Sequence, residues 1–245
     1  MMKIKIILIL SKIGFPISPI LYFFKPNLKT RVKIMKNYNI DTILDIGANI
    51  GQYAIIMRGC KFNGKIISFE PLNKAYEKLK QNSKNDKKWI INNYAIGDSD
   101  ENQIINIAGN SYSSSFLDMN ETHLEAAPKS KYTGNQKTQI KKLDSIYTHF
   151  CNKKNNVMVK IDTQGFEKNV IDGAIKNLNN IKIIQLEMSI IELYKGEMLF
   201  QQMTQYLEDR GFVLISLENG FSNSTTGELL QVDGIFVNKA FANKK

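Results

Sequence analysis

The chain has 245 residues, 43% of them hydrophobic and 23% charged, with a formal net charge of +10. That is length enough for one sizeable domain with appendages, and the absence of a fixed repeat or of glycine and proline enrichment excludes a solenoid, a collagen-like chain or a disordered one. Its two cysteines, Cys60 and Cys151, lie far apart without a CxxC pairing, which argues against a disulfide framework or a structural zinc site and suits a reducing cytoplasm.

Residues 1–40 read as an apolar, helical appendage. Met1 to Leu10 (MMKIKIILIL) is apolar but short, and Lys12, Gly14, Pro16 and Pro19 interrupt the stretch immediately after it. A spanning helix needs about 20 apolar residues, and a secretory signal needs a small-residue cleavage site; neither is present. The expectation is a helix packed on the main domain. The alternative is an amphipathic anchor giving peripheral membrane contact to an otherwise cytoplasmic protein.

From Thr42 onward, strands and helices alternate. Thr42 to Ile46 is an apolar run ending at Gly47, as a buried parallel strand does. A helix follows from Gly51 to Arg58, closed by Gly59. Lys65 to Glu70 is a second strand, and Pro71 opens a helix over Leu72 to Asn82 with Leu72, Ala75, Tyr76 and Leu79 on one face. Trp89 to Tyr94 reads as a third strand. An insertion at 103–143 then breaks the rhythm, as substrate-contacting loops do. In it Ile104, Ile105 and Ile107 suggest a strand, Ser111 to Ser115 a loop, His123 to Lys131 a polar mobile segment, and Gln139 to Leu143 another strand. The alternation resumes with a strand over Val157 to Asp162, a helix from Glu167 to Lys176 and a strand over Ile183 to Glu187. A helix from Met198 to Arg210 leads into two final strands, Phe212 to Leu217 and Val232 to Val237. This order predicts a Rossmann-like α/β domain over 41–245: a mostly parallel seven-stranded sheet with one antiparallel strand and helices on both faces.

The strongest local signal is Asp45-Ile46-Gly47-Ala48-Asn49-Ile50-Gly51, placed between strand and helix. Glycines there let the backbone pass close to a ligand. The spacing is GxNxG and not GxGxxG, so a dinucleotide is less well served than S-adenosylmethionine, which brings no pyrophosphate. Asp45 would face the ligand's amino group. Glu70, ending the second strand, would accept both hydrogens of a ribose diol. Ala95 and Asp98, in the run Ala95-Ile96-Gly97-Asp98, would flank an adenine.

The runs DIGANIGQ, FEP, AIGD, VKIDTQGFE and IIQLEMS, in this order, resemble the FkbM family of methyltransferases from Asp41 to Val237. The first run is shared by many methyltransferases; KIDTQGFE after FEP makes the match more specific. The resemblance implies a class I methyltransferase fold, S-adenosylmethionine as donor, and O-methylation of sugars or other secondary metabolites. Residues 1–40 have no counterpart in it.

An alcohol acceptor must lose a proton, and a carboxylate, a histidine or a metal assists. Lys160 and Asp162 end their strand on one side by its two-residue alternation, and Glu187 ends the next. Asp162 is therefore expected to orient the hydroxyl or act as base, Lys160 to stabilise developing negative charge, and Glu187 to support Lys160. Glu167 fits a helix cap better than a catalytic role. A divalent metal held by Asp162 and Glu187 with Asp144 or Asp233 is the less favoured mechanism. Ser114, within the serines 113–115, and His123 are candidate acceptor contacts, His123 as a mobile base or a solvated loop residue; His149 reads as helix packing. The positive charge leans towards an anionic acceptor, although no basic block with interleaved aromatics points to nucleic acid. Two other classes stand beside this reading: a non-catalytic binding module of the same fold, and a nicotinamide-dependent oxidoreductase.

Overall fold

The computed structural model describes residues 26–242, so the reading of Met1 to Leu10 falls outside the described residues. The first element, α1 (Pro26–Asn37), buries Leu28, Val32 and Met35 against the domain. Then come β1 (Thr42–Ile46), α2 (Gln52–Gly59), β2 (Lys65–Phe69), α3 (Asn73–Ser83) and β3 (Trp89–Asn92). Next come β4 (Ala95–Gly97), β5 (Asn102–Ala108), α4 (Glu121–Ala126), β6 (Tyr132–Lys142) and α5 (Leu143–Phe150). The chain closes with β7 (Val157–Ile161), α6 (Glu167–Asp172), β8 (Ile181–Ser189), α7 (Phe200–Glu208), β9 (Phe212–Asn219), β10 (Gln231–Asn238) and α8 (Lys239–Ala242).

Seven strands form the main sheet in the order β3-β2-β1-β7-β8-β10-β9, with β10 antiparallel to both its neighbours and the other pairings parallel. The topology therefore matches the expected seven-stranded sheet with one reversed strand. Both faces are covered, which is why the strands read as continuous apolar runs. Successive residues go to opposite sides: Ile43, Ile66, Met158, Ile183 and Ile235 pack towards α1 and α2, whereas Leu44, Ile67, Val159, Ile184 and Phe236 pack towards α5, α6 and α7. At about 25 cal/mol per Å² of apolar surface removed from water, these two layers supply most of the drive to fold.

The stretch between β3 and β7 differs most from expectation. Trp89 to Tyr94 is not one strand: the chain leaves the main sheet after Asn92, and β4 joins a separate three-stranded sheet of order β4-β6-β5. Its central strand β6 is 11 residues long, of which only the end was expected; Tyr132 to Thr138 is polar and largely exposed, so it carries no apolar alternation. The segment around His123 is a short helix followed by a 3-10 turn at Pro128–Ser130, with His123 buried. Among the described residues no helix is long and apolar enough to cross a membrane. Cys60 and Cys151 are buried free thiols.

Candidate active site

The strand alternation that builds the core also builds the site. The side facing α1 and α2 is apolar at mid-sheet and turns polar at the carboxyl ends of the parallel strands. On β1 Ile43 is followed on that side by Asp45, on β2 Ile66 by Ser68, on β7 Met158 by Lys160, and on β8 Ile183 by Gln185 and Glu187. Register sets these side by side, with Asp45 opposite Ser68 and Lys160, Lys160 opposite Gln185, and Glu187 opposite Asp233 of β10. Above this row opens a cavity of about 380 Å³. In an open α/β sheet, ligands bind in such a crevice outside the carboxyl ends of the strands.

One wall is the turn from β1 into α2. Gly47, Asn49 and Gly51 have left-handed φ values of 75°, 49° and 88°, a region open to glycine and tolerated by asparagine. Gly47 is required twice over, because a Cβ there would stand 1.8 Å from the main-chain oxygen of Asp162. The Gly47 and Ala48 N–H groups donate to Phe69 O at 3.1 and 3.0 Å. The Asn49 N–H donates to Glu70 Oε2 at 2.7 Å, and the Leu72 N–H to Glu70 Oε1 at 2.8 Å. Glu70 is thus locked to both the turn and the start of α3, and each oxygen keeps a lone pair for a ligand. Burial pushes its carboxyl up to about 7, partly offset by those two N–H donors.

Behind the cavity runs a chain of buried polar side chains that reaches it at Lys160. Trp89 Nε1 donates to Ser68 Oγ at 2.9 Å and Ser68 Oγ to Asp45 Oδ2 at 3.0 Å. Lys160 Nζ sits 3.6 Å from Asp45 Oδ1 and 3.2 Å from Asp162 Oδ2. Burial alone would lower the Lys160 ammonium, but the Asp162 and Asp45 carboxylates outweigh it and hold it above its usual range. The Tyr53 ring stands between two cations, 5.7 Å from Lys160 Nζ and 5.4 Å from the Arg31 guanidinium carbon. Arg31 donates through Nε and Nη2 to the two carboxylate oxygens of Glu218, tying α1 to β9. Burial and the Asp162 and Asp233 carboxylates push Glu187 well above the ordinary carboxylate range, and burial takes Asp233 up to about 6.

Of the residues singled out from the sequence, Gly47, Asn49, Glu70, Ala95, Ser114, Lys160, Asp162 and Glu187 all line this cavity. Four others do not. Asp45 is fully buried behind the wall and reaches the cavity only through Lys160. Gly51 is buried against Trp89 and Leu79. Asp98 is exposed elsewhere, its Oδ2 accepting from Asn169 Nδ2 at 2.9 Å. His123 is neither mobile nor solvated: it packs between Tyr194 and Phe221, its Nε2 lies 3.2 Å from Ser130 Oγ, and burial lowers it to about 4. Glu187 also differs from expectation, since its hydrogen-bond donor is Gln164 at 2.9 Å and not Lys160. Glu167 opens α6 without capping it: its Oε1 accepts from Thr163 N at 2.8 Å and Thr163 Oγ1 at 3.0 Å in the preceding turn. Asp144 is remote from the cavity, bonded to Lys176 N and Asn177 Nδ2, and among the described residues no three His, Cys, Asp or Glu side chains group as metal ligands.

Sequence reasoning missed Arg31, Tyr53, Gln52, Gln164 and Gln185. Counting by two from Ile183 marks Gln185; Arg31 and Tyr53 carry no such signal, because their helices meet the sheet only in the fold.

The sequence matches the model of the methyltransferase FkbM domain over residues 45–214. The chain belongs to the FkbM methyltransferase family. Its fold is also that of a methyltransferase FkbM from Methylobacillus flagellatus KT, at a TM-score of 0.50 and 12% identity, covering 80% of this chain and 43% of that one. Fibrillarin from Aeropyrum pernix, solved with natively bound S-adenosyl-L-methionine, matches at a TM-score of 0.46 and 9% identity over 80% of this chain and 66% of that one. No curated protein matches the sequence. The family is one of methyltransferases, this chain spans less than half the length of that FkbM structure, and the lining of the cavity suits S-adenosylmethionine. Leu72, Ile96, Ile105 and Phe116 give it an apolar end, Glu70 a carboxyl fixed by two main-chain N–H donors, and four acids (Glu70, Asp162, Glu187, Asp233) line it with Arg31 and Lys160. Gln52 adds a buried Oε1 with no hydrogen-bond partner, an acceptor open to a ligand donor.

Proposed function

We propose that this FkbM family member methylates a hydroxyl oxygen of an uncharged, polyhydroxylated acceptor: a sugar, a glycan precursor or a hydroxylated secondary metabolite. The observation that carries the reading is Asp162. Its side chain is 41% exposed, on the cavity side of the Lys160 ion pair. A carboxylate in that position accepts the hydrogen of a hydroxyl and so raises the electron density on its oxygen. Lys160, fixed between Asp45 and Asp162, places a permanent positive charge beside the oxygen as that proton leaves.

S-adenosylmethionine, when bound, supplies a methyl group on a positively charged sulfur. Glu70 would hold its ribose hydroxyls, the Gly47–Asn49 turn its amino-acid portion, and Ala95, Leu72 and Ile105 its adenine. Despite the net charge of +10, the cavity lining carries four acids against two bases, and because burial raises Glu70, Glu187 and Asp233 towards their neutral forms acids and bases come close to balance, which favours an uncharged acceptor. Hydroxyl groups, which both donate and accept, satisfy carboxylates and the Arg31 guanidinium together.

Transfer of labelled methyl groups from S-adenosylmethionine to a panel of sugars and hydroxylated metabolites tests this. Asp162→Asn should lower transfer to the preferred acceptor by about 10²–10⁴-fold while leaving S-adenosylhomocysteine binding near that of the parent. Near-normal turnover in that variant would remove Asp162 as the base, and preference for a phosphorylated acceptor would contradict the charge argument.

A further inference from the structure

Gln164 is where the insertion and the site's acids meet. It lies just beyond β7 with a left-handed φ of 57° and lines the cavity. Its Nε2 donates at 2.9 Å to Asp162 Oδ1 and at 2.9 Å to Glu187 Oε2. An amide nitrogen has two hydrogens, so both are used, one on each acid. Its Oε1 accepts from Tyr194 Oη at 2.8 Å, and the same hydroxyl stands 3.1 Å from Ser113 O. The main-chain oxygen of Gln164 accepts from Ser115 Oγ at 2.6 Å. Ser113 and Ser115 belong to the loop that turns Ser111, Tyr112, Ser114 and Phe116 into the cavity. Tyr194 packs directly on the next peptide, where a Cβ on Gly165 would stand 2.9 Å from Tyr194 Cβ.

We propose that Gln164 is a positioning residue: its amide holds the Asp162 and Glu187 carboxylates side by side, and the 110–116 loop sets the direction of that amide through Tyr194. Two neighbouring carboxylates repel, and the N–H donated to Glu187 favours its charged form. Both donors fix the side-chain angles at which the acids meet an acceptor, and seating an acceptor against the loop is felt at the pair. Glu187 is also faced by Asp233 from β10, Glu167 from α6 and Lys160 from β7, and Asp233 in turn by Arg31 from α1; among its close neighbours only Gln164 bonds both acids at once. The proposal rests on Asp162 being the group that meets the acceptor hydroxyl.

The test is a carbon-13 NMR pH titration of the Glu187 carboxyl in glutamate-labelled full-length protein, assigned with Glu187→Gln. Gln164→Leu removes the donated hydrogen bonds, so the Glu187 midpoint should move up by about one pH unit. Gln164→Asn tolerates the left-handed backbone and falls one methylene short of bridging the acids; it should move the midpoint the same way, and it decides the matter if the leucine variant does not fold. Tyr194→Phe, which removes only the hydroxyl, should give a smaller upward move. A midpoint unchanged in both Gln164 variants overturns the proposal, even if stability falls, and one unchanged in Tyr194→Phe overturns the link to the loop. Calorimetric titration of the parent protein with S-adenosylhomocysteine runs alongside: absent binding there would defeat the methyltransferase reading, a failure separate from any result at Gln164.

Discussion

At the Gly47–Asn49 turn the cavity wall is main chain, drawn from one βαβ unit and closed by N–H groups donated to Phe69 O and to the Glu70 carboxylate. Facing it, the wall over β8 and β10 is made of side chains, with Arg31 from α1, Tyr53 from α2, Gln185 and Glu187 from β8 and Asp233 from β10. The first wall lies inside the stretch matched by the family model, residues 45–214; of the second, Tyr53, Gln185 and Glu187 lie inside it and Arg31 and Asp233 outside. A wall of main chain admits few sequences, whereas a wall of side chains can be altered one residue at a time.

The comparison breaks most visibly at Gly47. Gly47→Ala forces a Cβ into the Asp162 carbonyl and an L-residue into left-handed backbone, and it should lower unfolding free energy in urea by about 4 kcal/mol. A loss below about 1 kcal/mol would mean the turn is not the rigid element described. The side-chain wall is tested through its clamp. Arg31→Leu leaves the Glu218 carboxylate, 6% exposed, without its partner and should cost about 3 kcal/mol. The double change Arg31→Leu with Glu218→Leu should recover much of that, because no charge is then stranded; equal losses in the single and double variants would show that the ion pair is not what couples α1 to β9.

Proton linkage gives the smallest effect. Burial raises the folded-state carboxyls of both Glu70 and Glu167 to about 7, above an unfolded value of about 4.3. The folded state then binds more protons across that interval, so stability rises as pH falls from 8 to 6.5, by about 1 kcal/mol for each group. Below about 6.5 the buried His123, lowered to about 4, begins to oppose the trend, since it resists taking up the proton that the unfolded chain binds. Affinity for S-adenosylhomocysteine should run the other way and weaken over the same pH 8 to 6.5 range as the Glu70 carboxylate is neutralised. Chemical melts and calorimetry at the two pH values check both; parallel trends would contradict the assignment of Glu70.

How much of this was legible in the sequence divides along the same line. The β1 turn, Glu70 and the Lys160–Asp162 pair are set by short spacings within single strands, and strand alternation was enough to place them. Asp98 and His123 misled because a polar residue in a loop gives no information on which way the fold turns it: Asp98 bonds Asn169, and His123 is folded under Tyr194 and Phe221. Arg31 was out of reach, since its partner Glu218 is 187 residues away. Gln164 stood in view within KIDTQGFE, but its role depends on Tyr194 and Glu187, which only the packed chain brings to it.

The central claim is that the main-chain wall and Glu70 hold the methyl donor, and calorimetric titration with S-adenosylhomocysteine on the parent protein and on Glu70→Ala tests it most directly. Two hydrogen bonds to a buried carboxylate are worth about 1.5–3 kcal/mol each, so the variant should bind about 10²–10⁴-fold more weakly while its melting curve still reports a folded protein. Binding by Glu70→Ala within twofold of the parent, or no binding by the folded parent, would contradict the account; the second result would leave the fold as a non-catalytic module.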